Sequence, residues 1–277
     1  MTGAVASGPA SRSASPGRAV RSRLADLLPA LTVFVAVVAV WEVGLVVLGV
    51  KQFLLPRPSA IIGALVEEWP VLARGVVYTG LEALGGLVLG VALGTLAAFA
   101  TARWATARET LMPLAIAASS VPIIALAPIM SAWFSSDNPA ARVAIVTLMV
   151  FFPVLINTVR GLTDVDPGAL ELMHSYAAAP VQIVRKVRIP NALPFFFTGL
   201  KIAATLAVIG AVIGEYFGGP RYSLGIFITS EAYVFRYPNA WAAILLACLL
   251  GIAFYLTILV LERLVMPWHS SQRTTDL

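Results

Sequence analysis

Between Leu111 and Ser136 not one residue carries a charge, and comparable runs recur along the whole chain. In a bilayer no water is available to backbone N–H and C=O groups, so an apolar segment of roughly 20 residues can cross only as a helix or in a closed barrel. Six runs have the length for helices. The first extends from about Leu27 to Val50, interrupted by Glu42, and the second from Val76 to Ala102, with Glu82 inside it. The third is Leu111 to Ser136, the fourth Val143 to Val159, the fifth Leu193 to Phe217 with Lys201 and Glu215, and the sixth Tyr237 to Leu261. The expected fold class is therefore all-α: a polytopic membrane protein with about six transmembrane helices. The overall balance agrees, since 59% of the residues are hydrophobic and only 12% charged, about half the charge of an ordinary soluble domain.

Residues 1–23 are rich in Ser, Ala, Gly, Pro and Arg and cannot bury a core, which predicts a disordered tail. The apolar run that follows exceeds a signal-peptide core and ends on no Ala-x-Ala-like site, so it reads as an uncleaved first helix. Residues 24–268 form the expected membrane domain, and 269–277 a short C-terminal tail. Basic residues set the orientation. With the N-terminus in the cytoplasm, the inner side collects Arg12, Arg18, Arg21, Arg23, Arg103, Arg108, Arg160, Arg185, Lys186, Arg188, Arg263 and Arg273. The outer side collects only Lys51, Arg57, Arg74, Arg142, Arg221 and Arg236. Both termini are expected in the cytoplasm, which suits an even number of spans in a bacterial plasma membrane. The net charge of +5 is accounted for by orientation in lipid, and no nucleic-acid partner is needed. A lone Cys248 excludes a disulfide framework and a cysteine-rich metal site.

On this topology the largest inner loop is residues 160–192. Asp166 followed by Pro167 is a helix start, with a carboxylate cap and then proline at the first helical position. Leu170, Met173 and Ala177 follow on one face, with Leu172 and Tyr176 beside them. Pro180 permits a second short helix, and Pro190 and Pro194 punctuate the return to the membrane. Two such amphipathic helices lie on lipid, fold back on the bundle, or fill a groove on a soluble partner.

This loop resembles that of bacterial ABC importer permeases, whose pattern is E-A-A, three residues, Gly, nine residues, I-x-L-P. Glu171-Leu172-Met173 stands at E-A-A, Ala177 at the glycine and Val187-Arg188-Ile189-Pro190 at I-x-L-P. Glu171 and Pro190 match in identity, whereas Leu172, Met173 and Ala177 depart from the pattern; alanine lacks glycine's freedom at positive φ, which a chain continuing as helix would not require. The stretches KQFLLPRPSAI, SVPIIALAPI and FFFTGLKIAATLAVIGAVIGEYFGG are similar to the branch importing sulfonates, taurine, nitrate and thiamine-related pyrimidines. LMHSYAA, TGLKIAAT and ERLVMPWH look most like permeases assigned to thiamine pyrimidine precursors or riboflavin. The resemblance covers nearly everything from Leu27 to His269. It implies a type I importer (MetI-like) permease fold, a separate ATPase that binds ATP and Mg, an extracytoplasmic binding protein docking near residues 51–74 and 218–238, and a second permease chain, as a homodimer or with a close relative. It also implies that Glu171, Leu172, Met173, His174, Tyr176, Ala177, Ala178 and Pro190 couple to that ATPase.

The chain's own residues agree on the energy source. Its three lysines, Lys51, Lys186 and Lys201, close no G-x-x-x-x-G-K-[ST] phosphate loop, so no cofactor is expected in this chain. Ser119, Ser120 and Pro122 in the proline-broken third span, and Glu215 near the outer end of the fifth, are candidates for the translocation path or external gate; the prolines serve equally as a packing kink. Lys201 is expected to snorkel toward the cytoplasm. Glycines at Gly86, Gly90 and Gly94, and at Gly210 and Gly214, read as close helix packing. A secondary, ion-coupled carrier would want a midplane acid and inverted repeats, and offers only Glu82. An intramembrane protease fails, because neither histidine and no aspartate lies in a span. No catalytic or metal-binding residue is expected.

Overall fold

The structure is a computed structural model that describes residues 16–135 and 138–267. The described residues form helices α1 (Pro16–Val47), α2 (Pro58–Glu67), α3 (Trp69–Arg103), α4 (Ala105–Ser119), α5 (Ala127–Phe134), α6 (Pro139–Thr163), α7 (Pro167–Ser175), α8 (Pro180–Ile183), α9 (Ile189–Glu215), α10 (Leu224–Tyr233) and α11 (Tyr237–Val265). Five helices are long and apolar enough to cross a membrane, or six when the bent pair α4 and α5 is taken as one span.

The chain divides at residue 60 into two compact units. The first contains α1, which begins at Pro16, inside the stretch expected to be disordered. Residues 1–15 and the tail from 268 onward lie outside the described residues. Glu42, the one acid within the apolar stretch Leu28–Val47, is satisfied locally: it accepts from Ser59 N at 3.0 Å and from Ser59 Oγ at 2.8 Å. An anion there also complements the N-terminus of α2.

The second unit is organised around α6, which lies between α3 and α9. Its Val146, Val150 and Val154 are spaced four apart and have no exposed surface. Gly86, Gly90 and Gly94 of α3 face them, so that the α3 backbone meets the valine ridge directly. A Cβ at Gly90 would stand 2.6 Å from Val150 Cγ1 and 2.8 Å from the Thr147 carbonyl. On the other flank Ala203, Ala204, Ala207 and Ala211 of α9 are fully buried, and Gly210 admits Met149. Small residues opposite branched ones let helices approach closely where lipid supplies no hydrophobic drive for association. The glycine periodicity read from sequence is this seam.

Three features differ from the sequence expectation. The third span is not one helix: α4 and α5 meet at 72°, because Pro122 is extended (φ −67°, ψ 103°) and a 3₁₀ turn, Ile123–Ala125, leads into α5. The loop after α6 is shorter than 160–192, since α6 runs to Thr163 and helix resumes at Pro180. The second short helix is instead the start of a rod, Pro180–Glu215, 36 residues long. Pro190 does not interrupt it, because Val184–Arg188 is a π-helical segment in which Ile189 N bonds Val184 O. That wider turn accommodates a ring that would otherwise strike the preceding carbonyl. Lys201 Nζ is 2.9 Å from Glu262 Oε2, which bolts α9 to α11.

The seam makes a specific prediction. Gly90→Leu should abolish recovery of monodisperse protein on size-exclusion chromatography, since its side chain has nowhere to go. Gly80→Ala, whose Cβ would make an ordinary 3.6 Å contact with Leu250, should be recovered like the wild type.

Candidate functional site

The connection from α6 to the long rod consists of α7 and two short turns. Asp166 caps α7 as the sequence anticipates, its Oδ1 accepting from Gly168 N at 3.1 Å with Pro167 at the first helical position. The helix has no buried residue. Glu171 and His174 are exposed and Met173 is half-buried, while Leu172 and Tyr176 leave 56% and 75% of their surface open. Two large apolar side chains side by side at that exposure, outside any span, form a surface with no internal partner.

The end of α7 is more sharply defined than helical periodicity suggests. The helix stops at Ser175, and Ala177 sits at φ 50°, in the left-handed region. Ala178 N reaches back to Met173 O at 3.0 Å and Ala177 N to His174 O at 2.9 Å, the paired bonds of a Schellman stop. Ala177 therefore takes the conformation for which the pattern's glycine is suited, at the cost its Cβ imposes. The chain re-enters helix where Gln182 Oε1 accepts from Ala179 N at 2.9 Å.

Beneath α7 the two flanking helices are fastened together. Asn191 Nδ2 donates to Gly161 O and to Asp164 O, both at 2.8 Å. Gly161 lets α9 approach closely, since a Cβ there would stand 2.7 Å from Ala192 Cα. The two helices that flank α7 in sequence are thus joined at their bases. The Asn191 clamp was not read from sequence; a polar amide directly after the Pro190 motif is its only local signal. Pro190 itself is exposed in the first turn of α9, separate from the α7 surface formed by Glu171 through Ala178.

At the opposite end of these helices lies a buried polar cluster. Arg142, read from sequence as an outer-loop charge, belongs to the first turn of α6 and is 1% exposed. Its Nε donates to Glu82 Oε1 of α3 at 2.6 Å, one Nη to Tyr78 Oη at 2.9 Å and the other to Gly218 O at 2.9 Å. Glu215, at the end of α9, has no exposed surface. It accepts from Thr79 Oγ1 at 2.7 Å and from Gly225 N at 2.6 Å, and so caps α10. Thr79 Oγ1 in turn accepts from Leu224 N at 3.2 Å. Both Glu215 oxygens are engaged within the bundle. An acid alone in a span calls for a buried cation, so Glu82 was the available signal, and Arg142, at the edge of the nearest span, its partner.

Ser119, Ser120 and Pro122 fall elsewhere, at the bend between α4 and α5, and all three are exposed. Ser119 Oγ donates to Ile116 O at 2.7 Å, returning to its own helix. The path candidates thus occupy two places, an exposed bend and a buried cluster.

A glycine-seamed bundle of five or six helices long and apolar enough to cross a membrane defines a polytopic membrane protein. The family model described as the binding-protein-dependent transport system inner membrane component matches residues 90–269, and the chain belongs to that family. Similar relatives include the formylaminopyrimidine transport permease protein ThiX of Halalkalibacterium halodurans, 33% identical over 86% of this chain and 95% of that one. The riboflavin transport system permease protein RibX of Chloroflexus aurantiacus is 30% identical over 83% and 86%. The putative aliphatic sulfonates transport permease protein SsuC of Escherichia coli is 28% identical over 85% and 89%. Among solved structures, an amino acid ABC transporter chain matches with a TM-score of 0.59 and 16% identity, over 72% of this chain and 96% of that one. The fold is the MetI-like permease fold of ABC importers, and the branch is the one the sequence resembles.

Arg142→Gln should lower the melting temperature in detergent by the equivalent of about 3–5 kcal/mol, because it strands the buried Glu82 carboxylate, and adding Glu82→Gln should recover part of that loss. Ala177→Gly should stabilise the α7 stop by about 1 kcal/mol. Ala177→Pro, whose ring cannot adopt a positive φ, should destabilise it; hydrogen exchange at the Ala178 amide, which bonds Met173 O, reads both.

Proposed function

We propose that this chain is the translocation subunit of an ATP-driven importer in the bacterial plasma membrane, with both termini cytoplasmic and α7 as the contact to a separate ATPase that binds ATP and Mg. The observation that carries this reading is α7 itself: an ordered, capped helix with Leu172 and Tyr176 open to solvent, on a chain with no phosphate loop of its own. A motor groove lined by apolar and basic groups would take those two side chains and Glu171, with Met173, His174, Ala177 and Ala178 at the edges. Pro190, placed on the rod, would act through the Asn191 clamp and not by touching the ATPase.

Two ATPases closing on two such helices need two permease chains, so the functional unit pairs this chain with a second copy of itself or with a close relative. Closure would then move each α6–α9 pair as one body, biasing the bundle between its inward- and outward-open states. Substrate arrives on an extracytoplasmic binding protein at the surfaces around residues 51–74 and 218–238. The second of these is held by the Arg142 contact to Gly218 and the Glu215 cap on α10, which makes it a firm platform. Ser119, Ser120 and Pro122 line the path at the bend of the third span, and Glu215 serves as the outer staple whose release accompanies opening. The substrate is a small solute such as a pyrimidine precursor of thiamine, riboflavin, a sulfonate, taurine or nitrate; the names of the similar permeases support the first two most directly.

Glu171→Lys should insert and purify normally yet lose the co-purifying ATPase and substrate uptake. Full retention of both would remove α7 from the coupling role.

A further inference from the structure

Between α7 and the bundle lies a cleft of about 440 Å³ that the transport reading leaves without an occupant. Its floor is apolar, built from Phe99 of α3, Leu162 of α6 and Ile183 of α8, and Arg103, His174 and Arg188 also line it; no carboxylate does. Arg103 is the last residue of the α3 span. Its guanidinium lies 5.6 Å from the ring centre of Trp104, and arginine with tryptophan at a span end marks the level of the lipid headgroups. Arg188 Nε is buried with no hydrogen-bond acceptor, a costly condition for a charged donor. Arg185 and Lys186, exposed on the same rod, add to the positive field.

An apolar floor below a cationic wall, at the end of a span, matches an amphiphile with an anionic head. A free inorganic anion would satisfy the cations and leave the floor unused. We propose that this cleft binds an anionic phospholipid, its phosphodiester meeting Arg103 and Arg188 and its acyl chain lying along Phe99, Leu162 and Ile183. The bound lipid would tie α7 to α3 and to the rod, so that membrane composition sets how firmly α7 is seated. The site deepens the transport reading and rests on it only for the cytoplasmic placement of α7.

The test uses the full-length permease in detergent, with lipid retention by native mass spectrometry and thermal stability as readouts. Phosphatidylglycerol, phosphatidylcholine and inorganic phosphate are added separately. Phosphatidylglycerol should be retained at one tightly held molecule per chain and raise the melting temperature; the other two should do neither. Arg103→Gln with Arg188→Gln should weaken that retention at least tenfold, whereas Arg185→Gln with Lys186→Gln should leave it within about twofold. Equal retention of phosphatidylcholine, equal stabilisation by inorganic phosphate, or unchanged retention in the Arg103/Arg188 variant would each overturn the proposal. The wild-type comparison decides the matter if that variant does not fold. Neither readout involves the ATPase, so failure here is separable from failure of α7 as coupler.

Discussion

A guanidinium withdrawn from water must be met from several directions at once, or it destabilises the fold that buries it. Arg142 is met by a carboxylate from α3, a phenol one turn earlier on α3 and a backbone carbonyl beyond α9. Those contacts fix the relative position of three chain segments that share no local sequence. Glu215 repeats the device one layer away, joining Thr79 to the first turn of α10. Packing below the cluster is almost wholly apolar and small, with α6 valines on α3 glycines and a line of buried alanines along α9, which gives closeness but little registry. The polar cluster supplies registry at one end, and the Asn191 clamp supplies it at the other.

A bundle pinned at both ends and smooth between them is suited to moving as a body. Lys201 and Glu262 fasten α11 to the same body. The bend between α4 and α5, in contrast, has exposed polar side chains that return to their own helix.

Much of this was legible in the residues. Charge-free runs gave the spans because lipid leaves helix as the economical solution. Asp166-Pro167 marked the start of α7, and the fourfold glycine spacing marked the α3 face. What escaped depended on tertiary contact. Arg142 beside a span is indistinguishable in sequence from a loop charge until Glu82 is placed opposite it. Pro190 looks like a break, and only the π segment upstream shows how the helix runs through it. Ala177 at a glycine position left open whether the chain turned there or continued as helix; the Schellman bonds show the turn.

A coupling role for α7 requires that it lie on the cytoplasmic side of the membrane and touch the ATPase there. The direct measurement is thiol labelling and cross-linking of Leu172→Cys in a Cys248→Ser background, in sealed vesicles of known orientation carrying the assembled transporter. Leu172→Cys should react with an impermeant maleimide only from the cytoplasmic face, and should cross-link to the ATPase subunit. Labelling from the opposite face, or unhindered labelling with no cross-link while the ATPase is bound, would contradict it.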